Sequence, residues 1–310
     1  MKSRLLTIFL ATGTIMFTLA SCKSYSEQDA ERLETPVRGY INISADETFK
    51  PVIDEQVKVF NANNPDATVN VFYKPESECL KDLANDSVRM VIATRKYSKA
   101  EEKFIIDSAH ATPSWNVVAH DAIAVIVHPS SPDSMFTMAQ IRALLEGNAG
   151  SKLVPVFDGA QATSTVRYIV DSVLRGAPLS KNAMAAKSSQ EVLDYVSRSP
   201  NAVGFIGVGW IGNHEDPEQV SFLKKVKVAW IESATEPGSY VSPVQVNIYE
   251  KSYPMVRDLV YVLKEKVHLG LGYGFARFLE QRTGQLIFKR AYLAPALENF
   301  ILRPIQLNEQ

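Results

Sequence analysis

Residues 121–128 read DAIAVIVH, a nearly unbroken apolar run that stops at Pro129. A strand with one face in water alternates apolar and polar residues, whereas a strand covered on both faces is apolar throughout. The run therefore predicts a central strand of an α/β sheet, and the remaining segments are interpreted around it.

Short β-rich runs alternate with amphipathic segments on both sides of this strand. Toward the N-terminus we predict strands over residues 40–44, 68–73 and 89–93, with helices over 48–61 and from Ser98. Toward the C-terminus we predict helices over 137–146, 164–174 and 189–198, with strands over 153–157, 202–206 and 226–231. The last third predicts a helix from Pro254, a helix over 273–282 stopped by Gly284, and a strand over 285–289. This alternation indicates an α/β chain with largely parallel sheets.

The N-terminus carries Lys2 and Arg4, then a mostly apolar run over 5–19, then Ala20-Ser21-Cys22. A basic start, a short apolar run and small residues before a cysteine are typical of a secretory signal with a bacterial lipobox. We predict that residues 1–21 are removed and that Cys22 carries a lipid such as palmitate. The alternative, a buried apolar helix, does not account for the basic pair. The polar stretch 22–37 is predicted to be a tether.

Without Lys2 and Arg4, the 33 Lys and Arg become 31 against 34 Asp and Glu, which gives the mature chain a net charge near −3. That charge excludes a nucleic-acid footprint. The two cysteines are Cys22 and Cys79, so lipidation of the first leaves no pair for an intramolecular disulfide.

Catalytic and cofactor motifs are absent from the sequence. None of the five histidines stands four residues from another, and no Cys-x-x-Cys or Gly-x-Ser-x-Gly occurs. Gly207-x-Gly209-x-x-Gly212 has the spacing of a dinucleotide fingerprint, but a polar loop over 213–217 follows instead of the required helix. We therefore predict no enzyme activity, no cofactor and no metal.

Two predicted helices begin with hydroxyl-bearing segments, Asp46-Glu47-Thr48 and Thr163-Ser164-Thr165. A helix N-terminus has free N–H groups and a positive dipole, so an anion fits there. Ordinary N-capping explains each segment equally well. Thr94 and Arg95 end a strand, where ligands of open sheets bind, although a surface arginine is the alternative. Arg167, two residues into its helix, is the less favoured arginine.

These segments resemble the phosphate-binding proteins of bacterial ABC importers, within the type II periplasmic solute-binding proteins. The resemblance covers residues 39–305. Its pieces come in family order: ISADETFKPVIDEQVKVF, VIATRKYSKAEE, HDAIAVIVHPSSP, TSTVRYIVDSVL and GQLIFKRAYLAP.

The resemblance implies a two-lobed α/β fold, each lobe a mixed, mostly parallel sheet flanked by helices, with two hinge crossovers. Lobe 1 is expected to take residues 38–121 and 236–310, and lobe 2 residues 122–235. The crossovers are expected near residues 120–122 and 231–242. Asp121 at the first crossover is then a hinge residue or a ligand contact.

The resemblance also implies binding residues. The family's first binding loop falls on Asp46, Glu47, Thr48 and Phe49, its second on Thr163, Ser164 and Thr165, and its Ser-Asp pair on Thr94 and Arg95. The first loop is more acidic than in the family, and the arginine that usually precedes the second has no counterpart over 156–162. We expect Arg95 to replace that arginine, and Asp46 or Glu47 to accept a proton from phosphate.

The function implied is that of a substrate-binding lipoprotein in the cell envelope, anchored to the inner or outer membrane and facing the periplasm. It is expected to capture phosphate or a similar oxyanion for an ABC permease in the inner membrane. The alternative is an envelope interaction or sensor protein that keeps the fold without transport.

Overall fold

A computed structural model describes residues 34–297, apart from residues 86, 110–111, 149, 151, 160–162 and 266–269. The predicted signal peptide, Cys22 and most of the tether lie outside the described residues, as do residues 298–310. Within the described part, every helix is too short or too polar to span a bilayer.

The secondary structure alternates as the α/β prediction requires. The strands are β1 (Gly39–Asp46), β2 (Ala67–Lys74), β3 (Met90–Ala93), β4 (Ser114–Val127), β5 (Met135–Phe136), β6 (Val154–Phe157), β7 (Met184–Ala185), β8 (Ala202–Gly207), β9 (Lys227–Val228), β10 (Trp230–Glu232), β11 (Tyr240–Val241), β12 (Val256–Leu263) and β13 (Ala294–Pro295). The α-helices are α1 (Lys50–Asn63), α2 (Glu76–Asp82), α3 (Lys99–Ala109), α4 (Met138–Glu146), α5 (Ser164–Tyr168), α6 (Ser189–Val196), α7 (Pro217–Leu223), α8 (Gln245–Tyr249), α9 (Leu271–Glu280) and α10 (Arg282–Arg290). Two 3-10 turns (Glu47–Phe49 and Val208–Trp210) and a π-helical turn (Ile169–Val173) complete the list.

One curled sheet runs through the molecule in the order β2-β1-β3-β12-β4-β8-β6-β7, and β9 and β13 also pair with β4. β1 is parallel to β2 and β3, and β6 is parallel to β7 and β8. β12 and β4 run antiparallel to their neighbours. A small second sheet joins β11, β10 and β5. The predicted α/β class with mixed sheets is confirmed.

The opening apolar run forms the second half of β4, a strand of 14 residues. Up to Ala122 this strand pairs with β12, and from Ile123 it pairs with β8. Every side chain over 122–127 is fully buried. The prediction of a central strand covered on both faces is confirmed, and the same strand joins the two halves of the sheet.

The predicted helix from Pro254 is wrong, because this segment forms β12, which lies between β3 and β4. Val256, Leu259, Val260 and Leu263 do have helical spacing. A strand covered on both faces is apolar at nearly every position, so any spacing can be found in it.

The predicted strand over 285–289 is also wrong, since these residues lie in α10. The preceding helix ends at Glu280, and the extended Gln281 (φ −80°, ψ 166°) separates it from α10. Gly284 therefore does not stop a helix but lies inside one, where a Cβ would come within 2.3 Å of the Phe278 carbonyl oxygen. Close packing of α9 against α10 explains this glycine.

The change of partner along β4 divides the sheet into a first half, with β2, β1, β3 and β12, and a second half, with β8, β6 and β7. Helices α1 and α9 cover one face of the first half. Phe60 of α1 packs edge-on against Phe275 and Phe278 of α9, with ring centroids 5.2 and 5.4 Å apart. In the second half, Phe157 at the end of β6 stacks on Phe205 of β8 at 4.9 Å. These apolar contacts hold the ends of β1, β6 and β8 in place around the point where β4 changes partner.

Candidate functional site

A buried ion pair lies where β4 changes partner. Arg257 of β12 stands opposite Asp121 of β4, and its Nε donates to Asp121 Oδ2 at 2.8 Å. Nη2 lies 2.8 Å from the same Asp121 oxygen and forms an ion pair with it, but its N–H groups do not point at that oxygen well enough to make a hydrogen bond. Both side chains are almost fully buried. Removal of either partner would leave an unpaired charge in the core.

The guanidinium of Arg257 also contacts the start of α5. Nη1 donates to Ser164 Oγ at 3.0 Å and to Thr165 Oγ1 at 3.4 Å. The hydroxyl of Thr163 instead accepts from the Val166 N–H at 3.2 Å, which is ordinary N-capping. Ser164 and Thr165 are fully buried, so their hydroxyls are directed at the arginine and not at water.

The segment after β1 contacts the same arginine from the first half of the sheet, whereas α5 belongs to the second half. The Phe49 ring lies 5.2 Å from the Arg257 guanidinium carbon, a cation–π contact. Asp46 Oδ1 accepts from the Thr48 N–H at 3.1 Å and so caps the 3-10 turn. Asp46 Oδ2 is buried and has no hydrogen-bond partner within the described ranges.

A further carboxylate, Asp158, follows β6 directly. Its Oδ2 accepts from Thr48 Oγ1 at 3.0 Å, from Ser189 Oγ at 3.3 Å and from Thr165 Oγ1 at 3.4 Å. Ser189 Oγ also lies 3.1 Å from Glu47 Oε2. These contacts and those of Arg257 define one polar cluster, made of Asp46, Glu47, Thr48, Phe49, Asp121, Asp158, Ser164, Thr165, Ser189 and Arg257.

The polar cluster holds more carboxyl groups than cations. Burial, followed by the charge of Glu76, raises the pKa of Asp46 to about 7. Burial, followed by the charge of Asp158, raises the pKa of Glu47 to about 7. Burial also raises the pKa of Asp121 and of Asp158 against the opposing charge of Arg257. The cluster therefore retains protons close to neutral pH.

A clasp of Glu76, Thr94 and Arg167 joins the two halves beside the polar cluster. Arg167 Nε of α5 donates to Glu76 Oε2 of α2 at 2.5 Å, and its Nη2 donates to Thr94 Oγ1 at 2.7 Å. Thr94 donates from its N–H and its hydroxyl to Glu76 Oε1 at 2.8 and 2.6 Å. Burial acts to raise the pKa of Glu76, but hydrogen bonds and charge from Arg167 hold it below its usual value.

Arg95 lies outside the polar cluster. Its Nη1 and Nη2 bind the two carboxylate oxygens of Glu101 at 2.9 and 3.0 Å. The side chain lines a groove of about 680 Å³, whose wall also includes Glu76 and Arg167 of the clasp. The structure thus brings Arg257, and not Arg95, to the hydroxyls of α5.

Most residues predicted for the site come together, and several partners were missed. The polar cluster contains the predicted Asp46, Glu47, Thr48, Phe49, Asp121, Ser164 and Thr165, while Thr163 caps α5 and Thr94 belongs to the clasp. Asp158 and Ser189 were missed, although one follows a buried strand and the other opens a helix. The sequence does not indicate that Arg257 lies in the site, because the apolar spacing around it predicts a helix whereas the segment forms β12.

The Gly-x-Gly-x-x-Gly spacing has a packing explanation. Gly207 ends β8 against the polar cluster, and a Cβ there would lie 2.7 Å from Thr48 Cγ2. Gly212 lies against Tyr292, whose Cβ would be 2.3 Å from an added Cβ. A 3-10 turn over Val208–Trp210 follows Gly207. Among the described residues, no group of three or more His, Cys, Asp or Glu has the arrangement of a metal site.

The chain is similar in sequence to a known family. The profile of the family described as PBP superfamily domain matches residues 30–282. The phosphate-binding protein PstS of Borreliella burgdorferi is 22% identical over 300 residues, which cover 92% of this chain and 95% of that protein. The PstS of Pseudomonas aeruginosa strain PAO1 is 22% identical over 281 residues, 83% of each chain.

Solved structures share the fold. A Clostridium perfringens protein described as a phosphate ABC transporter substrate-binding protein, solved with bound phosphate, aligns with a TM-score of 0.68 at 20% identity, over 83% of this chain and 100% of that one. An ABC-type phosphate transport receptor from Vibrio cholerae aligns with a TM-score of 0.61 at 18% identity, over 82% and 99%. The predicted type II binding-protein fold is confirmed.

Gly207→Ala is expected to destabilise the protein by about 1–3 kcal/mol, because the new methyl group overlaps Thr48 in a packed core. Urea unfolding measures the loss. Gly209→Ala is the matched control, since an added Cβ there meets only Leu293 Cδ1 at 3.4 Å. Equal losses in the two variants would contradict the close approach of β8 to Thr48.

The stability of the ligand-free protein is expected to fall as pH rises from about 4 to about 7. Folding raises the pKa of Asp46 from the ordinary aspartate value of 3.8 to about 7, so as pH rises the unfolded chain loses that proton first. Asp46→Asn should remove roughly 2–4 kcal/mol of that fall between pH 5 and 8, measured by urea unfolding. Asp66→Asn, an exposed control, should keep the wild-type slope. A wild-type stability that rises over this range would refute the assignment.

Proposed function

The chain belongs to the PBP superfamily, and from this membership we propose that it captures phosphate or a similar oxyanion for an ABC importer. One observation carries the proposal. The buried guanidinium of Arg257 and the hydroxyls of Thr48, Ser164, Thr165 and Ser189 converge where the two halves of the sheet meet. A fork of N–H donors with surrounding hydroxyls suits an oxyanion.

We propose that the anion binds in a cleft between two lobes. Lobe 1 takes residues 38–121 and 236–310, and lobe 2 takes residues 122–235. The change of partner along β4 between Ala122 and Ile123 supports this division. The polar cluster draws residues from both lobes, so closure around the ligand is a hinge motion, and the clasp of Glu76, Thr94 and Arg167 secures the closed form.

The carboxyl groups of the polar cluster select among oxyanions. An ionised carboxylate is an acceptor only, so it binds a ligand that carries a proton and repels one that does not. Asp46 and Glu47, with pKa values of about 7, are suited to share a proton with a hydrogen phosphate. Above about pH 7, where these two carboxyl groups ionise, sulfate carries no proton for them to accept and is the disfavoured ligand.

We propose binding without catalysis, because within the described residues we assign no nucleophile with a partner base. The relatives are named as binding proteins, which supports this view. The alternative, an envelope sensor that keeps the fold, is favoured by one feature. The hydroxyls of the polar cluster are already hydrogen-bonded to Asp158 and Glu47. Calorimetry with phosphate separates the two functions.

We further propose that the protein is a lipoprotein of the cell envelope, facing the periplasm. The basic start, the apolar run over 5–19 and the sequence Ala20-Ser21-Cys22 support a signal peptide that is removed before Cys22 is acylated. The polar tether then holds the binding lobes close to the inner or outer membrane that carries the lipid.

Arg257→Gln is expected to weaken phosphate binding at least 100-fold, about 2.7 kcal/mol, because the guanidinium is the cation of the polar cluster. Isothermal titration calorimetry on protein whose fold is checked by circular dichroism measures the loss. Arg95→Gln is the matched control and should bind within twofold of wild type, since its guanidinium is paired with Glu101. Loss of binding in Arg95→Gln alone would assign the anion to Arg95.

Cys22→Ala is expected to release the protein from membranes into the soluble fraction and to abolish incorporation of labelled palmitate. Cys79→Ala is the control, because that thiol is fully buried and unavailable to an acylating enzyme. Fractionation of expressing cells measures the distribution. Palmitate incorporation that persists in Cys22→Ala would exclude Cys22 as the acylated residue but not anion binding.

A further inference from the structure

Asp158 receives the contacts that an external oxyanion would require. Three hydroxyl groups lie within hydrogen-bond distance of its Oδ2: Thr48 at 3.0 Å, Ser189 at 3.3 Å and Thr165 at 3.4 Å. The single proton of the Ser189 hydroxyl is shared with Glu47 Oε2, which lies 3.1 Å away. These donors come from three separate elements, the turn after β1 and the starts of α6 and α5. Their convergence on one oxygen makes a pocket for a negatively charged oxygen atom.

The carboxylate of Asp158 is not explained as an ordinary core contact. The residue is 5% exposed, and its Oδ1 has no hydrogen-bond partner within the part of the chain described. Its charge is attracted by Arg257 and repelled by Asp46 and Glu47. Burying a carboxyl with one oxygen unsatisfied costs free energy, so the position is maintained against a penalty.

The position of Asp158 in the chain allows its side chain to move away from the three hydroxyl groups. The residue follows β6 immediately. The three donors are held by regular elements and by their own caps, whereas Asp158 is in a bend after its strand. A rotation of one side chain would free all three hydroxyls.

We propose that Asp158 is a built-in competitor for the anion, a specificity-determining residue whose carboxylate occupies the hydroxyls of Thr48, Thr165 and Ser189 until an oxyanion displaces it. The inference rests on the proposed capture of an oxyanion by the polar cluster. An anion that binds strongly enough to Arg257 and these hydroxyls displaces the carboxylate, whereas a weakly hydrogen-bonding anion such as chloride does not. Asp158 therefore sets a threshold for binding: it lowers the affinity for oxyanions that can displace it and excludes anions that cannot.

The opposite role, an acceptor for a proton on the ligand, predicts the opposite effect of mutation. If Asp158 accepted a hydrogen bond from bound phosphate, its removal would weaken binding. If it competes, its removal strengthens binding. The direction of the change in Kd therefore distinguishes the two roles.

The test is calorimetric titration of inorganic phosphate and of sulfate into wild type, Asp158→Asn and Asp158→Ala at pH 7.5. Asp158→Asn keeps the shape and removes the charge, and Asp158→Ala also removes the oxygen. We expect phosphate to bind each variant at least tenfold more tightly than wild type, with the larger gain for Asp158→Ala. Asp133→Asn, an exposed carboxylate of the same half, should bind like wild type. Thermal unfolding verifies that each variant is folded.

The outcomes separate the inference from the proposed function. Binding by the variants alone, with none by wild type, supports the inference in its strongest form. Phosphate affinity that is unchanged or reduced in both Asp158 variants overturns the inference and leaves anion capture intact. Absence of binding in wild type and in every folded variant overturns both.

Discussion

The polar cluster depends on the cross-strand ion pair between Arg257 and Asp121. Both charges are buried, and the cost of removing them from water is offset only while each keeps the other. The pair bridges β12 and β4 at the residues where β4 changes its partner. It therefore holds the guanidinium beside the point where β4 changes partner and places the remaining donors of Arg257 toward Ser164 and Thr165. The hydroxyls, the carboxylates and the clasp are arranged around that guanidinium.

The surplus of carboxyl groups changes the character of the proposed anion site. A site made of one arginine and hydroxyls alone would accept any oxyanion of suitable size. Asp46 and Glu47 add acceptors whose ionisation is opposed by burial, so the proton of the ligand takes part in the proposed binding. Selectivity then arises from the protons that the ligand carries and from competition with the chain's own carboxylate, in addition to shape.

The sequence predicted the half of the site that is encoded locally. Asp46 to Phe49 lie at the end of β1, and Thr163 to Thr165 open the helix that comes after β6, where polar residues face the edge of the sheet. The role of Arg257 could not be predicted. A strand covered on both faces is apolar at nearly every position, so the apolar residues around Arg257 also fit the spacing of a helix. Arg95 shows a second limit: its guanidinium binds Glu101, six residues further on. The local sequence indicates where an arginine lies along the chain but not which carboxylate it will pair with. The wrong predictions over 254–263 and 285–289 have the same origin in tertiary burial.

The long strand β4 has a consequence for how the molecule comes apart. Its first part completes the core that contains β12, and its second part completes the core that contains β8. Neither half can lose its structure without exposing apolar residues of a strand that the other half still needs. We therefore expect the two halves to unfold in one transition and not as independent domains, even though the proposed anion site lies between them. Motion at the cleft is confined to bending, because independent unfolding of one side is too costly.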